Sequence, residues 1–477
     1  MSSSVAQESA RLGLVERLAE HALNTRFEDL SADVVEAARA RLIDTLGCTL
    51  GGAMAPGNGA MLDLVRSWGG TAQATVLAHG DRVPLQHAAL LNSMMCRSFD
   101  FEATGPEAEG INGGRMVGHV CATTEPLALA VAEHRQASGR ELLTSVVIGG
   151  DIAARIAVAH EFDFDRNFEV CGTANAIGAT ALTARLMGLT APELVNAFGI
   201  VLHLLGGSFQ SLWDGVDSFK LPGATAASHA VLAVEMARRG FGGVRDALES
   251  PQGYFALFGN KPEPARVLAD LGRLYYAKGM HKLHPSCYGN HNPIDTALEI
   301  VGQHAFGADE IDSVVLDVPP NRVRHFLNQP MRAEDGQVRA LFSIPFAIAN
   351  VLLRRCVRME HYTAPLMHEP ALLALTHQVR LEPTLPLGRN QASRLTVRLR
   401  DGRSFSAARQ VPVGWAENPV GPDAVREKYW RNLDYAAHTL RQIGRKLDPA
   451  RAASALEQLE SLEALSDVSG LPALLVA

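Results

Sequence analysis

Asp100 and Glu102 stand two residues apart in the run Ser98-Phe99-Asp100-Phe101-Glu102-Ala103-Thr104, and a glycine-rich loop leads from Gly105 through Gly118 to His119. A carboxylate and an imidazole converging on one pocket are the usual equipment of general acid–base catalysis. On spacing alone Asp100 also reads as a helix cap and His119 as a satisfied histidine. Lysine gives a second signal. Of 44 basic residues only six are lysine, and Lys220 and Lys282 fall in two short glycine- and proline-flanked segments, Ser218-Phe219-Lys220-Leu221-Pro222-Gly223 and His281-Lys282-Leu283-His284-Pro285-Ser286-Cys287. Arginine stays charged, whereas lysine is a compact donor whose pKa moves on burial, which suits proton transfer or a grip on one carboxylate oxygen. The chain is read as using arginine for its solvated positive charge and keeping these lysines for sites.

The spacing of His281, His284, Cys287 and His291 invites a zinc reading, since both residue types are good ligands. Pro285 breaks any helical i, i+3 geometry and no second cluster lies nearby, so no metal is expected. An iron–sulfur cluster needs a set of thiolates. Cysteines 48, 96, 121, 171, 287 and 356 are scattered without a C-x-x-C. They fit reduced thiols in a cytoplasm. A net charge of −7 and the lack of a basic run interleaved with aromatics argue against nucleic acid as a partner. Apolar stretches such as 127–132 and 344–353 are too short or interrupted to cross a membrane, and the first residues lack a secretory layout. No G-x-G-x-x-G follows a strand, and neither a nucleophile elbow nor a P-loop is present.

The elements that must carry these residues are mostly helical. From about residue 10 to 265 apolar positions recur at helical spacing, with helices expected from Ser31 onward and over 86–97, 124–138, 141–159, 174–187, 191–204 and 224–239. After about 268 the pattern changes. Residues 311–318 read as a buried strand, and Leu395, Val397 and Leu399 alternate with polar residues before Asp401-Gly402, a strand entering a hairpin turn. An apolar helix is expected over 341–355, and amphipathic helix returns over 423–464. The expected fold is mainly α: an all-helical domain from residues 1–267 plus 413–477, with a smaller α+β domain, 268–412, inserted.

At these segments the chain resembles the MmgE/PrpD family, which includes 2-methylcitrate dehydratase, cis-aconitate decarboxylase and iminodisuccinate epimerase. The likeness rests on Leu42-Ile43-Asp44-Thr45-Leu46-Gly47-Cys48, the Asp100-Phe101-Glu102 run with Thr104 and His119, Ala176 to Ala181, the Lys220 segment, Arg238 to Phe241, and Lys282 with Pro285-Ser286-Cys287-Tyr288-Gly289-Asn290-His291. It implies a helical domain with a small α+β lid, a homodimer, no cofactor, and small di- or tricarboxylate substrates held between the domains. Matched by position, Asp100, His119, Lys220 and Lys282 become catalytic residues, with Thr104, Cys287 and His291 as substrate contacts.

The chain also departs from the family pattern. The usual Phe-His-Pro is Phe168-Glu169-Val170, which puts Glu169 where a catalytic histidine is expected. Residues 105–118 form an insertion, and no tyrosine lies between Tyr288 and Tyr362 to serve as the decarboxylases' small-domain tyrosine. The resemblance therefore points to a cofactor-independent, dehydratase-like lyase that removes a proton α to a carboxylate. An epimerase of aminodicarboxylate-type substrates is the alternative, and cis-aconitate decarboxylase is disfavoured. A catalytically silent carboxylate-binding dimer is the reading that the lost histidine and tyrosine would favour.

Overall fold

Small residues decide how closely the helices of this protein meet. A computed structural model describes residues 12–107, 117–161, 168–386 and 392–477. Taking helices of eleven residues or more, the chain runs through α1 (Leu14–Asn24), α2 (Ala32–Gly51), α3 (Asn58–Trp68), α4 (Leu85–Arg97), α5 (Cys121–Arg135), α6 (Gly139–Val158), α7 (Ala174–Met187), α8 (Ala191–Val201) and α9 (Leu221–Arg238). It continues through α10 (His291–Gln303), α11 (Ile344–Arg354), α12 (Pro422–Arg441) and α13 (Pro449–Glu460). Local signals set the ends: Ser138 accepts from the Glu141 N–H at α6, and Thr190 and Glu193 form a capping box at α8.

Helices α6 and α7 touch through glycine. A Cβ at Gly178 would lie 2.2 Å from the Gly149 carbonyl oxygen, and one at Gly149 2.4 Å from Leu182. Gly47 and Gly51, on the same stripe of α2 as Asp44, open a groove for α12: a Cβ at Gly47 would meet Tyr429 Cα at 3.2 Å. Helix α12 thus returns from the far end of the sequence into the helical core, burying Val425, Tyr429, Leu433, Ala436 and Leu440 there.

A second apolar core forms between α10, α11 and a four-stranded sheet ordered β6-β5-β7-β8. Its strands are β5 (Ile311–Asp317), β6 (Val379–Glu382), β7 (Ser393–Leu399) and β8 (Ser404–Arg409). β5 runs parallel to β6 and antiparallel to β7, in a register that sets Val314 against Val397 and Leu316 against Leu395. β7 and β8 form the hairpin expected from Asp401-Gly402, where Gly402 takes φ +92°. Cys48, Cys96, Phe99, Phe101 and Phe219 of the helical body join this second core, so the two bodies share a packed seam. Of the earlier elements, β1 (Ala74–Thr75) pairs with β2 (Arg82–Val83), and β3 (Thr104–Glu107) with β4 (Lys278–Met280). The β3–β4 pair lies beside the seam, and it positions the site. No helix among the described residues is long and apolar enough to cross a membrane.

Candidate active site

Helix α4 stops at Arg97, and the chain turns sharply through Asp100, which takes φ +47°. Aspartate tolerates the left-handed region better than most residues, and here it turns the chain toward Glu102 and β3. Thr104 of β3 pairs with Met280, the last residue of β4, so the residues that follow the strand, His281 and Lys282, arrive beside the Asp100 turn. The other side is closed by Gly118, at φ +89°, whose carbonyl accepts from the Gly105 N–H at 2.9 Å and sets His119 alongside. Asn175 of α7 fixes His119 from below by donating to its carbonyl at 2.9 Å.

Five charged or titratable side chains meet there. Arg97 pairs with Asp100 and reaches Glu102 at 3.3 Å. Lys282 Nζ lies 3.0 Å from Asp100 Oδ1 and also donates to the Asp100 carbonyl. His119 Nδ1 lies 2.8 Å from Glu102 Oε1, and its Nε2 3.5 Å from Asp100 Oδ1. The His119 side chain is 18% exposed while Asp100, Glu102 and Lys282 are at 0%, so the site opens to solvent at the imidazole.

Charge balance sets the protonation states. Burial alone would raise the Glu102 carboxyl, but Arg97, the His119 hydrogen bond and Lys282 outweigh it and bring it down to about 2. Burial, Arg97 and Lys282 together lower His119 to about 3, against the pull of Glu102. A neutral imidazole beside an ionised carboxylate keeps its proton on Nδ1, which leaves the Nε2 lone pair as a base. Burial lowers Lys282 to about 7, opposed by Glu102 and reinforced by Arg97. Glu169, 4% exposed, is raised by burial to about 7, with Arg97 pulling it down and Glu102 pushing it up. One arginine thus acts on every acid–base group of the site.

Profiles of the MmgE/PrpD N-terminal and C-terminal domains match residues 16–267 and 284–447. The chain belongs to the MmgE/PrpD family. Cis-aconitate decarboxylase of Aspergillus terreus is 22% identical over 496 residues, covering 100% of this chain and 98% of the relative. The human protein of the same name is 22% identical, covering 94% and 91%. The 2-methylcitrate dehydratase of Cupriavidus necator is 24% identical, covering 92% and 93%. These relatives carry the names of lyases. The mainly α fold with a small sheet agrees with an MmgE/PrpD chain, and the C-terminal match includes α12, which packs into the helical core.

Of the residues that the MmgE/PrpD pattern singles out, Asp100, His119 and Lys282 are brought together, and Glu169 lies within electrostatic reach of Arg97 and Glu102. Lys220 is buried and donates to the Pro56 carbonyl and to Asn58 Oδ1 instead, while its neighbour Phe219 lies under the Arg97 guanidinium at 5.3 Å. Thr104 is buried in β3, and half-buried Cys287 interacts electrostatically with Lys282 and Arg97. His291 opens α10, fully buried and stacked on Tyr288. His281 and His284 turn to different carboxylates, Asp44 and Asp295. Most of the 105–118 insertion and residues 162–167 before Glu169 lie outside the described residues.

Arg97 was not among the residues expected at the site. Its one sequence signal is a position three before Asp100 at a helix end. The reading of arginine as solvated charge is corrected here: Arg41, Arg97 and Arg155 are all buried. The donor atoms of Asp100, Glu102 and His119 lie within 4.8 Å of one another, a spacing a metal ion would accept. One oxygen of each carboxylate, Asp100 Oδ1 and Glu102 Oε1, already faces Arg97, and Asp100 Oδ1 also faces Lys282, so a dication bound at those oxygens would compete with the guanidinium and the ammonium.

Proposed function

We propose that this protein is a lyase of the dehydratase type acting on a small di- or tricarboxylate. The reading is carried by His119, which forms the solvent-facing edge of the buried Arg97–Asp100–Glu102–Lys282 cluster with its Nδ1 2.8 Å from Glu102, and it is supported by Glu169, a buried carboxyl pushed up to about 7 and close enough to feel Arg97 and Glu102. Two groups with pKa values driven apart supply a base and an acid at one pH. His119 Nε2 takes the proton α to a carboxylate, and the Nδ1–H bond to Glu102 supports the imidazolium as it forms. Lys282 takes up charge on the developing enolate. Glu169 gives its proton to the departing hydroxyl, which leaves as water as the carbon–carbon double bond forms. A dianionic substrate beside Lys282 and Arg97 offsets the charges that depress His119 and makes it a stronger base in the complex than in the free enzyme. Decarboxylation removes no proton from carbon, so a base has no task in it.

A second reading, epimerisation, is favoured by one observation: Glu169 and Lys282 each titrate near 7, so each can both hold and release a proton at neutral pH. Products separate the readings. Incubation with a panel of hydroxy- and amino-di- and tricarboxylates, followed by mass spectrometry and NMR, is expected to show loss of water. Inverted configuration at unchanged mass would favour epimerisation, and loss of carbon dioxide would sink both.

A further inference from the structure

We propose that Asp44 and Lys428 are positioning residues that hold the acid–base groups of this site from behind, an assignment that rests on the reading of Glu102 and His119 given above. Lys428 comes from α12 and Asp44 from α2, and their side chains are 2% and 0% exposed. Lys428 Nζ lies 2.7 Å from Asp44 Oδ2, donates to the Phe101 carbonyl at 2.6 Å and stands 4.1 Å over the Phe101 ring. Asp44 Oδ1 accepts from the Ala103 N–H at 2.9 Å. The peptide groups on both sides of Glu102 are therefore held by one ion pair. The same carboxylate reaches the second half of the site, with Asp44 Oδ2 lying 3.0 Å from the Nδ1 of His281, the residue before Lys282.

Stability is a poor reason for this arrangement. Taking two charges out of water costs about what their attraction returns, and apolar replacements of similar volume are often neutral or stabilising. What apolar side chains cannot do is bond a carbonyl, an N–H and an imidazole at once. Proton transfer from carbon needs the base held to within roughly half an ångström of its working position. Here the Glu102 backbone is fixed by Asp44 and Lys428, and the Glu102 side chain in turn fixes the Nδ1 side of His119. The groove that lets Lys428 reach this far is the Gly47/Gly51 stripe of α2.

The test needs no substrate. Full-length protein labelled with ¹⁵N-histidine reports ring tautomers by two-bond proton–nitrogen correlation, and His119 is assigned by the signal lost in His119→Gln. Wild type is expected to show the Nδ1–H tautomer at His119. In the double variant Asp44→Leu/Lys428→Met, which leaves no lone buried charge, Glu102 is released and the Nδ1–H form gives way to Nε2–H or an exchanging mixture, at a Tm within a few degrees of wild type. An unchanged Nδ1–H signal would overturn the proposal and make the ion pair a structural strut alone. If the double variant does not fold, Lys428→Arg, which keeps the charge but not the compact ammonium, is read by the same spectrum with the same two outcomes. Because the readout is a ring proton and not turnover, it stands apart from whether the protein proves to be a lyase.

Discussion

At Lys282 the ammonium is wholly buried and meets the Asp100 side chain and backbone at one point, a pair of bonds made by a compact donor and not by a planar guanidinium. Lys282→Arg is therefore expected to lose turnover about 10²-fold, on the order of 3 kcal/mol in the transition state, although the charge is kept. Steady-state kinetics on the substrate found by the panel check this, and wild-type turnover would remove Lys282 from the chemistry. Glu169 carries a pH signature. Its folded pKa, about 7, lies above the ordinary value of 4.5, so the folded state binds the extra proton. Stability from this group is then present below about pH 4.5 and is lost as pH rises through 7. Glu169→Gln keeps the size without the charge, so it should gain on wild type as pH rises, by about 2–3 kcal/mol between pH 5 and pH 8. Urea unfolding at those two pH values measures it, and a difference that does not change with pH would place the carboxylate in solvent. The lysine signal was half legible in sequence. Lys220, Lys282 and Lys428 are buried, while Lys261, Lys278 and Lys446 are exposed. What sequence could not show is that Lys220 turns to Pro56 and that Lys428, outside any motif, stands behind the site.

Between elements, backbone contact is the limiting geometry. Gly178→Ala puts a methyl 2.2 Å from the Gly149 carbonyl, a backbone atom that cannot swing aside. The variant should lose about 2 kcal/mol or more of stability by overpacking, read as a lower urea midpoint. An unchanged midpoint would mean that α6 and α7 separate freely. Long periodic helices were legible: 174–187 matches its expected bounds, and the helix expected over 86–97 begins one residue earlier. So was the hairpin at Asp401-Gly402, where turn chemistry is local. The two-residue strands β1 and β2 and the β3–β4 pair were not. Such short strands carry no periodicity, and Thr104 of β3 pairs with Met280 of β4 across 176 residues of sequence, so only tertiary packing creates them. The pair that assembles the site was thus the least visible in sequence.

In the whole molecule, two apolar cores meet at a seam, and the charged cluster sits where both bodies contribute. The helical body supplies Arg97, Asp100, Glu102, His119 and Glu169, and the segment crossing toward the second body supplies Lys282 and Cys287. A site built this way brings to one point groups that are far apart along the chain, and it depends on α12 returning to close the helical core. The central claim is that these groups remove a proton from the carbon next to a carboxylate. The most direct test is solvent exchange: the protein is incubated in D₂O with the substrate the panel identifies, and proton NMR follows the α-hydrogen, with His119→Gln run alongside. The account predicts that wild type removes one α-hydrogen in forming the product and returns deuterium to that carbon in substrate re-formed by reversal, at a rate lower by at least about 10²-fold with His119→Gln, the lower end for a general base. Turnover with the α-hydrogen fully retained, or equal exchange by the two proteins, would contradict it.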